Sequence, residues 1–352
     1  MYLHRRQRRS PNWRISTVPV GAKTMKFLIA GLGSIGRRHL RNLRALGEND
    51  IILYRTHRST LPEEELSGLP VETDLQAALA HKPDAVIVAN PTALHLEVAI
   101  PAAQAGCHIL LEKPISHSLA RVDELERAAQ GSGSRILVGF QFRFHPTLRQ
   151  AAALLQEGRI GRVLSVRAHW GEYLPNWHPW EDFRQGYAAR PDLGGGVVLT
   201  LCHPLDYLHW LVGKVETLWA MTAALHLNLP VEDTAEIGLR FANGALGSVH
   251  LDYNQRPPTH SLEIIGTEGT LRWDNRDGIL HEYRAAENEW KIYSPPPAFE
   301  RNEMFIEEMR HFLEVVRGAP PVCTLADGRY ALQIALAAHE SNRRGCAVRL
   351  TL

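Results

Sequence analysis

Lys26-Phe27-Leu28-Ile29-Ala30-Gly31-Leu32-Gly33-Ser34-Ile35-Gly36 is the stretch that decides the fold. A short apolar run feeds a G-x-G-x-x-G turn, and residues 37–46 continue with helical spacing, which is the context that gives this pattern meaning. Gly31 permits the tight turn, Gly33 lets backbone approach a pyrophosphate, and Gly36 lets the helix pack close to the strand. Ser34 and Ile35 open the helix, whose N-terminal N–H groups and dipole suit phosphates. The plain alternative is a glycine-rich turn without ligand. A strand before, a helix after and a second strand at 51–54 decide for a dinucleotide site.

Outward from that turn, strand-type runs at 26–30, 51–54, 85–89 and 109–111 alternate with helix-type runs at 37–46, 75–80 and 94–105. This rhythm predicts βαβ units. The runs at 84–90 and 108–113 lack polar alternation, as strands covered on both faces do. The first part is therefore expected to be a doubly wound α/β sheet of Rossmann type. A helix at 118–130, a strand at 135–140 and a helix at 146–155 follow, with a change of character near Gln141. Beyond Gly161 the strands alternate, at 163–170, 234–241, 245–253 and 261–273, and Asn243-Gly244 marks a hairpin. Helices are expected at 201–211, 303–316 and 327–342. The predicted organisation is a disordered basic leader at 1–24, a dinucleotide-binding domain at 25–142 and an α+β domain at 143–352.

The 352 residues are 45% hydrophobic, with 39 Lys and Arg against 38 Asp and Glu. Arg5, Arg6, Arg8, Arg9, Arg14 and Lys23 stand in a leader without acids, so the body from Met25 carries 33 bases against 38 acids, a net charge of −5. An acidic body argues against a nucleic-acid-binding surface. No apolar run approaches the roughly 18 residues of a membrane span. Cys107, Cys202, Cys323 and Cys346 form no C-x-x-C pair, so neither a metal framework nor disulfides are expected, and a reducing cytoplasm fits.

The second strand ends Tyr54-Arg55-Thr56-His57-Arg58. No carboxylate stands where one grips a ribose 2′-hydroxyl, and Arg55 and Arg58 suit a 2′-phosphate, so the cofactor expected is NAD(P), with NADP favoured. The alternative is that these arginines are solvated loop residues. Ligands collect beyond the C-terminal ends of strands. There the sequence offers Asn90 and Pro91 with His95, and Glu112 with Lys113. A desolvated Lys113 can donate a hydrogen bond to a substrate oxygen, although such a strand-end pair is more often a solvated one.

The glycine turn, the 90–95 segment Asn-Pro-Thr-Ala-Leu-His, Glu112-Lys113-Pro114, and Gly194-Gly195-Gly196 followed by His203-Pro204-Leu205-Asp206-Tyr207 together resemble the glucose-fructose oxidoreductase, inositol dehydrogenase and MocA family. The similarity runs from Met25 to the C-terminus. It implies a Rossmann domain followed by one built on a large, mostly antiparallel open sheet, with hydride exchanged between a nicotinamide and a sugar or cyclitol. In that pattern Lys113 polarises the reacting oxygen and His203 is the general acid/base. Glu112, His95 and Gln141 match cofactor-side or domain-junction positions. The resemblance also implies a homodimer or homotetramer.

One departure stands out. Many members place an Asp shortly before the histidine, where this chain has Leu199 and Thr200. Thr200 is a substrate-side candidate. Asp206, one helical turn after His203, either replaces the missing carboxylate or serves as a buried partner. The segment 170–190 is dense in aromatic and polar groups, as sugar binding requires. Tyr173, His178, Arg184 and Tyr187 are its substrate candidates, against the alternative that its rings simply pack a domain interface.

The sequence thus predicts an NAD(P)-dependent oxidoreductase acting on a sugar, cyclitol or sugar derivative, and the 170–190 segment resembles a subset of the family associated with cell-surface polysaccharides. Two rivals are an enzyme that retains and recycles its cofactor, which tightly held cofactor marks, and a non-catalytic dinucleotide or sugar sensor, which loss of Lys113 or His203 marks.

Overall fold

The computed structural model describes residues 25–56, 61 and 64–350. The basic leader and Arg58 lie outside the described residues.

Six parallel strands form the first sheet: β1 (Phe27–Ala30), β2 (Ile51–Tyr54), β3 (Val71–Glu72), β4 (Ala85–Val88), β5 (His108–Glu112) and β6 (Ile136–Gly139). Their order is β3-β2-β1-β4-β5-β6, the doubly wound arrangement whose switch point falls between β1 and β4. Helices α1 (Ser34–Ala45), α2 (Leu75–Ala80), α3 (His95–Gln104) and α4 (Val122–Ser132) join them. Phe27, Leu28, Ile29, Val86 and Ile87 are wholly buried, each worth about 2 kcal/mol against exposure. That burial explains the unbroken apolar runs in the sequence.

After α5 (Pro146–Gln156) come the nine strands of the second sheet, interrupted by α6 (Val197–Thr200) and α7 (His203–Val212). The strands are β7 (Val163–Gly171), β8 (Val215–Ala223), β9 (Thr234–Phe241), β10 (Leu246–Asp252), β11 (Thr259–Gly266), β12 (Gly269–Asp274), β13 (Ile279–Arg284), β14 (Glu289–Tyr293) and β15 (Val348–Arg349). Their order is β14-β13-β12-β11-β7-β10-β9-β8-β15. Among the described residues of this sheet only β7 and β10 pair in parallel. One face buries Val166, Ala168 and Trp170 of β7. The other exposes Trp219, Met221, Leu246, Trp290 and Ile292.

Helices α8 (Arg301–Val316) and α9 (Leu325–Arg344) return to the first sheet. Asn302 donates to Asn42 of α1 at 3.0 Å, and Val138 N donates to Cys323 O at 3.0 Å. A Cβ on Gly328 would stand 2.6 Å from Ile115, so α9 lies close against the end of that sheet. Thr324 and Asp327 close a reciprocal cap at the start of α9, which begins the helix earlier than the spacing at 327 predicts. The run 118–130 is helical only from Val122, because Ser118–Arg121 turns with Arg121 at φ +65°. The run 261–273 splits at Gly266 and Gly269 into β11 and β12. Among the described residues no helix is long and apolar enough to cross a membrane.

Candidate functional site

The glycine turn sits at the switch point. Gly31 has φ +93°, and a Cβ there would lie 2.4 Å from Asn90 N, so the turn and the end of β4 touch through backbone. A Cβ on Gly36 would lie 1.9 Å from Gly31 O. Nothing stands within 4 Å of the position a Gly33 Cβ would take, which leaves that side open for a ligand to meet backbone. Gly33 caps α1 without any side-chain hydrogen bond, so the first N–H groups of the helix are uncapped donors. Gly36→Ala is expected to weaken dinucleotide binding about a hundredfold and to destabilise the fold by roughly 2 kcal/mol, because backbone must shift. Fluorescence titration and urea unfolding read the two effects; wild-type values in both would contradict this account of the turn.

Two further strand ends meet beside the turn. Asn90 Nδ2 donates to Leu94 O at 2.9 Å. His95, 2% exposed, lies between Pro114 O and Asn90 O, each 2.9 Å from a ring nitrogen. Its ring thereby braces the 90–94 turn against the 113–115 turn. Glu112 points inward as well. Its Oε1 lies 2.8 Å from His39 Nε2, and its Oε2 accepts Lys113 N at 3.2 Å. Burial pushes its pKa up, but the His39 hydrogen bond and the Lys113 charge outweigh that and hold the carboxyl below its ordinary value. Glu308 of α8, wholly buried nearby, is pushed well above the carboxylate range by burial and by Glu112. Arg55 is buried at the end of β2, where its N–H donates to Glu72 O. Gln141 is buried in the 3-10 turn after β6.

Lys113 crosses between the two sheets' territories: its Nζ donates to Thr200 O at 2.7 Å. The carbonyl is offered by α6, a single turn opened by the glycine triplet. Each glycine there is required by a close approach. A Cβ would stand 2.9 Å from His117 at Gly194, 2.5 Å from Tyr187 O at Gly195, and 2.5 Å from Glu232 Oε1 at Gly196.

His203 begins α7 beside this contact. It is 1% exposed, with Phe142, Trp170 and Phe140 rings centred 5.0, 5.3 and 5.5 Å away. Its Nδ1 has no partner. Burial, then the Lys113 charge, drive its pKa well below 6.5. Tyr187 is 37% exposed overall. Burial raises the phenol, and Lys113 works against that rise.

Asp206 is not free for substrate. Arg143 holds it with Nη2 to Oδ1 at 2.7 Å and Nε to Oδ2 at 3.0 Å, both side chains being nearly fully buried. This pairing supports the reading of Asp206 as a buried partner. Of the aromatic segment, Tyr173 is stacked under Arg256 at 4.0 Å. Arg184 pairs with Asp182 at 3.4 Å and lies over Phe183. His178 keeps an unpartnered Nδ1. Sequence reasoning missed Arg143, His39, Glu308 and Tyr253. The last is wholly buried beside Tyr187, with its phenol pushed well up by burial. Only the alternation of its strand marks Tyr253 as inward-facing.

A profile described as "Oxidoreductase family, NAD-binding Rossmann fold" matches residues 25–140, and one described as "GFO/IDH/MocA C-terminal domain" matches residues 148–272. The chain is 28% identical to myo-inositol 2-dehydrogenase of Thermotoga maritima, over 93% of this chain and 98% of the relative. It is 26% identical to scyllo-inositol 2-dehydrogenase (NAD(+)) of Bacillus subtilis, over 93% and 96%. A structure of levoglucosan dehydrogenase in complex with NADH and levoglucosan shares the fold, with a TM-score of 0.84 and 22% identity, over 94% of this chain and 100% of that one.

Proposed function

The chain belongs to the GFO/IDH/MocA family of oxidoreductases, and from that premise we propose that it moves hydride between a nicotinamide dinucleotide and a hydroxyl or carbonyl carbon of a sugar or cyclitol, beside Lys113 and His203. The observation that carries the reading is the Lys113 ammonium held by Thr200 O at 2.7 Å, next to a buried imidazole and beyond the C-terminal end of a sheet whose glycine turn stands open. The relatives named for inositols support a polyhydroxylated substrate.

When bound, the nicotinamide supplies or accepts the hydride. Gly31, Gly33 and the first turn of α1, with Ser34 and Ile35, would hold the pyrophosphate. Asn90, Pro91 and the turn braced by His95 would line the nicotinamide side. Lys113 directs its ammonium to the reacting oxygen and fixes the carbon beside it. His203 takes the hydroxyl proton during oxidation and returns it during reduction. Its aromatic shell keeps it neutral and therefore ready to accept. Tyr187 and His178 would meet further hydroxyls.

Because burial and Lys113 depress His203, kcat/KM for oxidation is expected to stay level as pH falls through 6.5. An acid limb centred at 6.5 or above would contradict this assignment. Arg55, with no carboxylate from 54 to 58, supports acceptance of a 2′-phosphate, so NADPH should bind at least as tightly as NADH. The apolar open face supports pairing with a second copy, and four unpaired cysteines support a reducing cytoplasm. The functional test offers inositols, anhydrosugars and nucleotide sugars with NAD+ or NADP+, following reduced nicotinamide. Turnover with at least one polyol confirms the reading. Turnover confined to substrates lacking a secondary hydroxyl would refute it.

A further inference from the structure

The open face of the second sheet brings together two imidazoles and a carboxylate, none of them among the residues assigned above. His169 of β7 and His250 of β10 are direct partners in the parallel register, and Asp252 sits opposite Gly171 two residues on. Strand alternation puts all three on the same face. The two rings are centred 4.5 Å apart. One ligand atom from each of the three residues lies within 4.8 Å of the others.

A second layer orients them. His250 Nδ1 lies 2.5 Å from Glu236 Oε1 on β9, which turns Nε2 toward Asp252 Oδ2 at 3.0 Å. His169 Nε2 lies 2.6 Å from Gln255 Oε1, and Gln255 is itself fixed by donating to Thr259 Oγ1 at 2.7 Å. Imidazoles whose second nitrogen is held by an oxygen acceptor are the usual surroundings of a metal ion. Two imidazoles and one carboxylate with room for water are a donor set that suits Zn2+ and its neighbours.

We infer that His169, His250 and Asp252 bind a divalent transition-metal ion of the Zn2+ class on the open sheet face, with Glu236 and Gln255 orienting the two rings. A proton on His250 accounts for the flanking Glu236 and Asp252. It does not account for a second imidazole brought alongside the first, whereas one shared cation accounts for both. In the single chain His250 is 27% exposed, so an ion reaches it without opening the fold. Bound there, it ties β7 to β10 across the only parallel pair of the sheet among the described residues, and through Glu236 to β9.

The test uses the full chain stripped with a chelator. Calorimetric titration with Zn2+ should show about one ion per chain with Kd near or below about 10 µM, and Co2+ should give the visible bands of a low-coordinate site. The pair of changes His169→Ala and His250→Ala should weaken binding at least about thirtyfold, and Glu236→Gln about tenfold, with an unchanged circular dichroism spectrum. No binding by the wild-type chain, or equal binding by the double variant, overturns the proposal. X-ray absorption of the Zn2+-loaded wild-type chain keeps it falsifiable if the variants misfold: two imidazoles are expected, and fewer than two, or thiolate ligation, overturns it.

Discussion

Lys113→Met is expected to lower turnover about a thousandfold while leaving dinucleotide affinity within about tenfold. Met keeps the length and apolar stem of Lys and deletes only the charge. The deleted ammonium donates to Thr200 O at 2.7 Å and stands among Glu112, Tyr187, Cys202 and His203, each of which feels its charge. Removing it leaves a carbonyl and a substrate oxygen without a donor where solvent is largely excluded. The glycine turn proposed to hold phosphate abuts Ala89 and Asn90, whereas the Lys113 ammonium bonds Thr200 O, so cofactor binding should persist. Steady-state rates with fluorescence titration of the same preparation separate the two. Unchanged turnover would remove Lys113 from the reaction, and equal loss of cofactor binding would make it a general structural residue. Removing the Lys113 charge should also let His203 rise part of the way from its depressed pKa, with burial, the larger cause, still holding it down.

Asp206→Ala is expected to cost about 3 to 5 kcal/mol of stability, the usual penalty for stranding one member of a buried ion pair. Arg143 would keep its guanidinium in a site where its remaining strong contact is Nη1 to Val322 O at 2.8 Å, with Asp327 farther off at 3.4 Å. The combined change of Asp206→Leu and Arg143→Met should recover much of that loss, since apolar side chains of similar size remove both charges together. Urea unfolding of the three proteins measures this directly. If Asp206→Ala keeps wild-type stability and instead raises the KM for a sugar, Asp206 is a substrate contact and the structural assignment is wrong.

The Rossmann half was readable because each of its signals is local. Glycine spacing, apolar runs and helical periodicity are all satisfied within about a dozen residues of one another, and burial on both faces kept β1, β4 and β5 free of polar interruption. The second sheet was less readable where its open face carries apolar side chains. In β8, Trp219 and Met221 face outward while Leu218 and Ala220 face inward, so both sides are apolar and the alternation that marks a half-buried strand is lost. β14 fails for the opposite reason: it is a largely exposed edge with little burial to pattern it.

The same division runs through the site. Lys113 and His203 could be picked from motifs. Their surroundings could not, because the partner of Lys113 is a backbone carbonyl 87 residues away, and a carbonyl leaves no mark on a sequence. Arg143 meets Asp206 across 63 residues, and the aromatic shell of His203 is assembled from the end of β6 and from β7. The surroundings of His95 were hidden for a related reason. Its position near the strand ends suggested a contact with cofactor, whereas its two nitrogens are consumed by backbone oxygens that only the folded turns bring near it.

The most direct test of the central claim is titration of the folded chain with NADH and NADPH, followed by nicotinamide fluorescence and by quenching of tryptophan. Saturable binding of at least one of them, with Kd in the micromolar range and weakened about a hundredfold by Gly36→Ala, is what a dinucleotide seated on the 31–36 turn predicts. Folded protein that binds neither cofactor would contradict it.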